Sequence, residues 1–227
     1  MEYESSKIDW CEKNYEWSPY IVEFFNTITN IPYIIFYYIG LYSFKNFKCN
    51  GDDKLLYGCL FFIGITSMYF HATLSLYGQL LDEFCIILLL MNTLTMVYKN
   101  KYTQFYIKCY TLTHSVVMCY YPWINIPVLF IIGFCIWKLL RTRFKKYKDI
   151  SFKKYWILSQ ILFLSSVTCW IIDRFMCGYI QNIQFHALWH VLSAFCAYYS
   201  ILVGIFLEHN QGEYYIKNNI LPIIEKY

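Results

Sequence analysis

The chain has 227 residues, of which 58% are hydrophobic, 22% are aromatic and 15% are charged. These proportions exclude a disordered or fibrous protein, and the charged fraction lies well below the about 25% that is usual for soluble domains. We therefore predict an integral membrane protein. The net charge of +4, from 19 basic and 15 acidic residues, is too small to indicate a nucleic-acid partner.

The N-terminal stretch, residues 1–20, is acidic and aromatic. It lacks the basic n-region and the short apolar h-region that a cleavable secretion signal requires. We therefore expect the first membrane span to direct the chain to the membrane. No internal repeat, low-complexity tract or second globular domain is predicted.

Seven stretches are long and apolar enough to cross a bilayer as helices, which takes roughly 20 residues each. In chain order they lie near residues 22–44, 55–76, 79–98, 103–121, 123–140, 155–173 and 184–207. Very short connectors at Tyr77-Gly78 and Tyr121-Pro122 predict that the helices on either side form antiparallel hairpins.

The basic residues are distributed unevenly between the two sides of this predicted bundle. Three lie on one side, namely Lys7, Lys13 and Arg174. Sixteen lie on the other side, namely Lys45, Lys48, Lys54, Lys99, Lys101, Lys108, Lys138, Arg141, Arg143, Lys145, Lys146, Lys148, Lys153, Lys154, Lys217 and Lys226. By the positive-inside rule, the N-terminus is outside and the C-terminus is in the cytosol. We expect the cluster from Lys138 to Lys154 to anchor this topology rather than to bind nucleic acid or anionic lipid.

The predicted fold class is therefore all-α, a polytopic membrane protein built as a seven-transmembrane-helix bundle. We expect a luminal or extracellular N-terminal segment at residues 1–23 and a membrane domain at residues 24–207. A short cytosolic tail is expected at residues 208–227.

Ionisable side chains inside membrane spans are costly, and they usually have a function. Few are found here, namely His71, Asp82, Glu83, His114, His186 and His190. All except His114 lie at the outer end of their helices under a topology that was derived from the basic residues alone. We therefore expect them to share one depth, and we expect His114 to be a packed bundle residue outside the site.

Three of these histidines form a candidate metal site. His186 and His190 are four residues apart, so on a helix they project from one face and can hold one ion. A third imidazole from His71 would leave a fourth tetrahedral position for water, which is the pattern of catalytic zinc. No CxxC pair indicates a structural zinc site. The alternative is that each histidine hydrogen-bonds a hydroxyl or a backbone group in a packed bundle. This alternative is less favoured, because three histidines are expected at one depth.

Asp82 is the candidate general base, because a zinc-bound water becomes a good nucleophile once its proton is removed. Glu83 points about 100° away around the helix and is the weaker candidate. Asp82 could instead orient an imidazole. Ser67, one turn before His71, could donate to an oxyanion or satisfy the backbone carbonyl at i−4, and the sequence favours neither role.

The acidic N-terminal stretch carries a candidate calcium site. Asp9, Glu12, Asn14 and Glu23 offer hard oxygen ligands, which suit calcium, although their spacing is not that of an EF-hand. The alternative is a solvated acidic tail. Most of the ten cysteines are scattered in or near the spans, but Cys11 and Cys177 lie in outer connectors and could form a disulfide in an oxidising lumen.

The sequence resembles the alkaline ceramidase family over nearly its whole length. The matching strings are D-W-C-E-x-N-Y from Asp9, E-F-F-N-T-I-T-N from Glu23, F-H-A-T-L-S-x-x-G-Q-x-L-D-E from Phe70, D-R-x-x-C from Asp173 and H-A-L-W-H from His186. A looser pattern, S-x-x-x-H, then Asp, then H-x-x-x-H, is shared with adiponectin-receptor-like and haemolysin-III-like proteins. The first and third strings select the ceramidases.

This resemblance implies a seven-helix intramembrane zinc amidase that hydrolyses ceramides to a sphingoid base and a fatty acid. It implies zinc at His71, His186 and His190, Asp82 acting on the zinc-bound water, and Ser67 assisting the tetrahedral intermediate. It also implies a calcium site at Asp9, Trp10 (through its backbone carbonyl), Glu12, Asn14 and Glu23, and a luminal disulfide between Cys11 and Cys177. The sequence departs from the family at Lys13 inside the calcium loop, in its short connector at 178–184 and in its brief tail.

The resemblance further implies a membrane lipid as the partner, with no nucleic acid and no obligate protein partner. It implies a location in the endoplasmic reticulum or Golgi membrane. The main alternative is an adiponectin-receptor-like zinc receptor, for which a large N-terminal domain and the opposite orientation would be expected. A structural or transport protein is less favoured, since no row of charges lines the other helices, and hydrolysis of another lipid amide stays open.

Overall fold

The computed structural model describes residues 4–43, 51–98, 100–144, 150–180, 183–209, 214–217 and 221–226. The helices are α1 (Phe24–Ile28), α2 (Ile31–Ser43), α3 (Gly51–Thr73), α4 (Leu76–Val97), α5 (Lys101–Tyr120), α6 (Asn125–Phe144), α7 (Ile150–Ile180) and α8 (Phe185–His209). A 3-10 turn (Pro122–Ile124) precedes α6, and two short strands follow α8, namely β1 (Tyr214–Lys217) and β2 (Ile223–Lys226).

Each of the seven predicted spans falls on helical structure. Within the described ranges, five stretches are long and apolar enough to cross a membrane: Gly51–Thr73, Leu76–Val97, Pro122–Thr142, Lys153–Tyr179 and Phe185–His209. The chain is therefore a helical, multi-pass membrane protein. Several basic residues used to predict its orientation lie outside the described residues, namely Lys45, Lys48, Lys99, Lys145, Lys146 and Lys148.

The other two predicted spans are less regular. The first is divided into α1 and α2 by Thr29 and Asn30. Pro32 lies at the second position of α2, where the missing backbone N–H is tolerated because no intrahelical partner exists for it. Helix α5 is 20 residues long, but its lysines, threonines and tyrosines make it more polar than the five apolar stretches.

The connector between α3 and α4 is not at Tyr77-Gly78, as predicted, but three residues earlier, at Leu74-Ser75. Helix α4 begins at Leu76, and the Ser75 hydroxyl at its N-cap accepts a hydrogen bond of 3.1 Å from the Gly78 backbone. A serine N-cap satisfies one of the free N–H groups of a first helical turn, and this moves the helix start towards the N-terminus. Leu74 makes the turn with φ of 44°.

Helix α8 is the centre of the bundle. It packs against α1, α2, α3 and α7, and Ala194, Tyr198 and Leu202 on it are completely buried. Because α3 ends where α4 and α8 begin, His71, Asp82 and the histidines of α8 lie at one end of the bundle. We call it the histidine end.

The two strands pair as an antiparallel hairpin, with Tyr215 opposite Glu225. This hairpin was not predicted, since residues 208–227 were expected to form a short tail. It packs against α8 at the opposite end of the bundle from the histidines, where the Tyr198 hydroxyl donates to the Pro222 carbonyl at 2.5 Å. Ile216 and Ile224 join the apolar core.

The N-terminal segment, residues 4–23, lies across the histidine end. Its backbone pairs with the α3–α4 turn, through Ser6 N to Leu74 O at 2.8 Å and Leu76 N to Glu4 O at 2.8 Å. Its last residue, Glu23, donates its backbone N–H to the His71 carbonyl at 3.1 Å. The segment is thus fixed to the ends of the membrane helices rather than solvated as a tail.

Gly78 is expected to be required for the close approach of α4 to α3. A Cβ at this position would lie 2.9 Å from the Phe70 Cα, which is backbone and cannot turn aside. Gly78→Ala should therefore destabilise the protein by roughly 1–3 kcal/mol, measured as a lower midpoint of thermal unfolding in detergent.

Gly58→Ala is the matched control, because nothing lies within 4 Å of a Cβ built there. It should be neutral or stabilising by up to about 1 kcal/mol, since alanine is the better helix former. Equal unfolding midpoints for the two variants would contradict the predicted steric requirement at Gly78.

Candidate metal centre and active site

Three buried histidines meet at the histidine end of the bundle. His71 comes from the last turn of α3, and His186 and His190 lie one turn apart at the start of α8. Their ligand nitrogens all lie within 4.8 Å of one another, and each side chain is at most 2% exposed. The structure therefore brings together the three imidazoles that the spacing and the common depth predicted.

Neighbouring polar groups orient two of these rings. His71 Nδ1 lies 2.6 Å from Glu23 Oε2, and His190 Nδ1 lies 3.1 Å from the Thr29 hydroxyl. Outer partners of this kind fix the orientation and tautomer of metal-binding imidazoles. For both residues, this leaves Nε2 as the nitrogen that can bind an ion.

Two ring nitrogens, His186 Nδ1 and His190 Nε2, are buried without a hydrogen-bond partner among the described residues. Buried polar atoms are nearly always paired, so an orphan of this kind requires an explanation. Three neutral imidazoles, which leave the fourth tetrahedral position to water, match the ligand set of catalytic zinc. The donor set at this site therefore fits zinc.

Asp82 and Ser67 lie beside the histidines. Asp82 is 5% exposed and lines the same cavity as His71 and His186. The Ser67 side chain lies beside this carboxylate, and Asp82 Oδ1 has no hydrogen-bond partner within the described part of the chain. At least one oxygen of the carboxylate, Oδ1, is thus available for a proton.

Glu83, the weaker candidate for the base, has its carboxylate bound by two amides. Gln79 Nε2 donates to one oxygen at 2.9 Å, and Asn125 Nδ2 donates to the other. The Gln79 carbonyl oxygen in turn accepts from the Lys7 backbone at 2.8 Å. These contacts connect α4 to α6 and to the N-terminal segment, which is a structural use of the carboxylate.

The predicted calcium ligands lie in the N-terminal segment. Asp9 and Asn14 are exposed, whereas Glu12 and Glu23 are buried. The Glu12 carboxylate caps α1, accepting from the backbone of Phe25 at 2.7 Å and of Asn26 at 2.8 Å. Burial raises the pKa of Glu12, and these backbone hydrogen bonds oppose the rise.

The side chains of the predicted calcium site do not form a second group like the histidines. In the ranges that the structure covers, the histidine cluster is the one place where three ligand atoms from His, Cys, Asp or Glu lie close enough together to hold a metal ion. The Glu23 carboxylate faces His71 at 2.6 Å, and its other oxygen accepts from the Trp10 backbone at 3.4 Å.

Residues 9–11 are held against the histidines by three contacts. The Trp10 ring stacks on His186, with ring centroids 3.6 Å apart and an interplanar angle of 20°. Cys11 and Cys177 are joined as a disulfide with Cα atoms 5.3 Å apart. Asp173 accepts backbone hydrogen bonds from Cys11 at 3.2 Å and from His186 at 3.1 Å.

A cavity of about 250 Å³ begins at this site and extends into the bundle. At the histidine end it is lined by Trp10, His71, Asp82 and His186. Its far end is lined by Leu56, Met96, Leu140 and Ile201. The arrangement can place an apolar chain in the bundle with its polar head beside a metal ligand set and a carboxylate.

Two features of this site were not predicted from the sequence. The first is the role of Asp173. This residue is part of the D-R-x-x-C string, but the string does not indicate which groups its carboxylate binds. Nothing in the sequence pairs the ring of Trp10 with that of His186, because residues 176 apart meet only through tertiary structure. His114 lies outside the site as predicted, stacked on Tyr110 with centroids 5.8 Å apart.

The sequence is similar to those of several known proteins. The family model described as Ceramidase matches residues 2–222. The chain is 33% identical to alkaline ceramidase 1 of Mus musculus, over 88% of this chain and 79% of that protein. It is 33% identical to an alkaline ceramidase of Drosophila melanogaster (88% and 76%) and 30% identical to alkaline ceramidase 1 of Homo sapiens (92% and 85%).

Asp173 is expected to stabilise the contact between the N-terminal segment and α8. Asp173→Ala would leave the buried N–H groups of Cys11 and His186 unpaired, at about 1–3 kcal/mol each. We expect a corresponding fall in the midpoint of thermal unfolding. Asp173→Asn retains one carbonyl oxygen and should lose roughly half as much stability. Equal midpoints for all three proteins would contradict this role.

Proposed function

The chain belongs to the alkaline ceramidase family, and we propose that it is a zinc-dependent intramembrane hydrolase that cleaves the N-acyl bond of ceramides. The products would be a sphingoid base and a free fatty acid. The observation that carries the proposal is that three buried imidazoles and a buried carboxylate, Asp82, meet at the head of one apolar cavity.

The physical properties of ceramide support this proposal. Ceramide has two long apolar chains and does not leave the bilayer readily, so a cavity between membrane helices can receive it directly from the lipid phase. With one chain in the cavity, the amide would lie at the level of His71, His186 and Asp82. Bound zinc would act there as a Lewis acid on the amide carbonyl and lower the pKa of a water molecule.

The chain's own residues would carry the proton through the reaction. Asp82 would accept a proton from the attacking water as the new carbon–oxygen bond forms. It would then give that proton to the amide nitrogen as the carbon–nitrogen bond breaks, so that the amine leaves neutral. Ser67 lies beside Asp82, and its hydroxyl would turn to donate its single hydrogen to the oxygen of the tetrahedral intermediate.

We also propose a calcium site formed by Asp9, the Trp10 carbonyl, Glu12, Asn14 and Glu23. The contacts made by the two buried ligands, Glu12 and Glu23, support this proposal. Glu12 caps α1, and Glu23 faces His71. An ion shared by these carboxylates would brace the N-terminal segment against the histidine cluster and offset the repulsion between them.

We further propose seven membrane spans with the N-terminal segment, residues 1–23, in the lumen. The membrane domain would be residues 24–207, with residues 208–227 in the cytosol, in the endoplasmic reticulum or Golgi membrane. The distribution of basic residues supports the orientation. The disulfide between Cys11 and Cys177 on the N-terminal side also supports it, because such bonds persist in oxidising compartments.

Two variants are expected to separate the metal ligands from the base. His186→Ala should lose zinc and all hydrolysis, because two imidazoles do not complete the site. Asp82→Asn should retain zinc but lose hydrolysis by about 10²- to 10⁴-fold, the usual contribution of a general base. The measurements are zinc content and fatty-acid release from ceramide in detergent.

Wild-type protein that binds zinc but releases no fatty acid from any ceramide would contradict the proposed function and favour an adiponectin-receptor-like role. Release of fatty acid from another lipid amide, and from no ceramide, would show that this other lipid is the substrate. Asp82→Asn with wild-type turnover would exclude Asp82 as the base.

Calcium removal is expected to lower both activity and stability. A calcium-selective chelator should lower the unfolding midpoint and fatty-acid release of the wild type, while Glu12→Ala should be less active and no longer respond to it. Glu16→Ala is the control, since Glu16 is exposed on the same segment and is not a proposed ligand. A Glu12→Ala protein with wild-type calcium content would contradict the site.

A further inference from the structure

The cavity that begins at the histidines has a second polar region far from them. Trp137 of α6 and Gln160 of α7 both line it. Trp137 Nε1 and Gln160 Oε1 are buried and have no hydrogen-bond partner in the described part of the chain. One is a donor and the other an acceptor, and both belong to side chains that line an apolar cavity, where an unpaired polar atom is unfavourable.

These two side chains lie at the same depth. Asn125 and Asp173 mark the level of the site on α6 and α7, since they contact Glu83 and the His186 backbone. From Asn125 to Trp137 the helix rises about 18 Å, and from Asp173 back to Gln160 about 20 Å. Both polar atoms are therefore nearly a membrane leaflet away from the histidines.

Both side chains also lie close to Phe163. The Trp137 ring stacks on Phe163 with centroids 6.3 Å apart and an interplanar angle of 18°. Phe163 and Gln160 are three residues apart on α7, so they are neighbours on one helix face. The indole N–H and the amide thus line one small region of the wall.

Two hydroxyls elsewhere on this wall, those of Ser166 and Thr93, are different, because carbonyls of their own helices accept hydrogen bonds from them. Ser166 donates to the Phe163 carbonyl at 2.9 Å, and Thr93 donates to the Leu89 carbonyl at 2.9 Å. Neither requires a partner from the cavity. Among the described residues that line the cavity away from the histidine end, Trp137 and Gln160 carry the buried polar atoms that have no partner.

We infer that Trp137 and Gln160 bind a hydroxyl group carried near the end of the substrate chain, so that the protein prefers ceramides hydroxylated about 18–20 Å from the amide. This inference rests on the proposed function. A hydroxyl suits the pair because it accepts from the Trp137 N–H and donates to the Gln160 oxygen at once. If the Gln160 amide were turned over, the hydroxyl would instead accept from both N–H groups through its two lone pairs.

The test compares ceramides of equal chain length with and without a hydroxyl near the end of one chain. Two sets of lipids are used. The hydroxyl is on the acyl chain in the first set and on the sphingoid chain in the second. The wild type should show a kcat/KM about five- to tenfold higher for the hydroxylated lipid of the set whose chain enters the cavity. Gln160→Leu should bring that ratio to about one or reverse it. Its apolar side chain suits an apolar chain end and leaves the hydroxyl unpaired.

Trp137→Phe is the second variant, and it removes the donor while retaining the stacked ring. It should also lower the preference, with an unfolding midpoint close to that of the wild type. Thr168→Val is the matched control on the same helix. Thr168 is exposed on the outer side of α7 and donates to the Leu164 carbonyl at 2.8 Å, so the wild-type preference should persist.

A readout without hydrolysis accompanies the kinetics. The fatty acid hydroxylated at its chain end should raise the unfolding midpoint of the wild type more than the plain fatty acid if the acyl chain enters the cavity, and Gln160→Leu should abolish the difference. Equal kcat/KM for both lipids in both sets, or a preference unchanged in Gln160→Leu and Trp137→Phe, would overturn the inference and leave water as the partner of these atoms. Absence of turnover of every ceramide would instead overturn the proposed function, and this inference with it.

Discussion

Glu23 and His71 are 0% and 1% exposed, and their side chains meet at 2.6 Å at the end of the bundle. A carboxylate buried to this degree is unfavourable unless hydrogen bonds surround it. It has them here from the imidazole and from the Asn26 amide at 3.2 Å. Because Glu23 directly precedes α1, this contact attaches the start of α1 to the end of α3. The orientation of the His71 ring and the course of the N-terminal segment therefore depend on the same interaction.

A second set of contacts attaches the N-terminal segment to the start of α8. Asp173 holds the His186 backbone and the Cys11 backbone with its two oxygens, and the disulfide joins Cys11 to the residue one turn along α7. The Trp10 ring then covers His186. Each histidine is thus supported by a group from another part of the chain, which is how metal sites hold imidazoles in one geometry. The cluster is a product of the whole bundle end rather than of α8 alone.

The sequence was sufficient for the features that depend on local spacing or on depth. His186 and His190 are one turn apart, and a common depth added His71 once the basic residues had oriented the helices. Features that depend on capping or on tertiary contact were beyond it. The start of α4 is set by the Ser75 cap, the hairpin after α8 depends on Tyr198 reaching Pro222, and Trp10 meets His186 only in the folded bundle. Sequence periodicity does not mark a helix cap, and it carries no information about the other two contacts, which join residues far apart in the chain.

The cavity has polar groups at both ends and apolar side chains between them. Several buried polar atoms of the described residues that line it have no partner within the protein, and lipid supplies none. At one end the unpaired atoms are ring nitrogens and a carboxylate oxygen, which suit a metal and an amide. At the other they are one donor and one acceptor, which suit a single small polar group. The spacing between these two levels is fixed by the rise of α6 and α7, so a chain that satisfies both ends must have one length. Rigid helices would in this way select a lipid by its length and by the polarity of its far end.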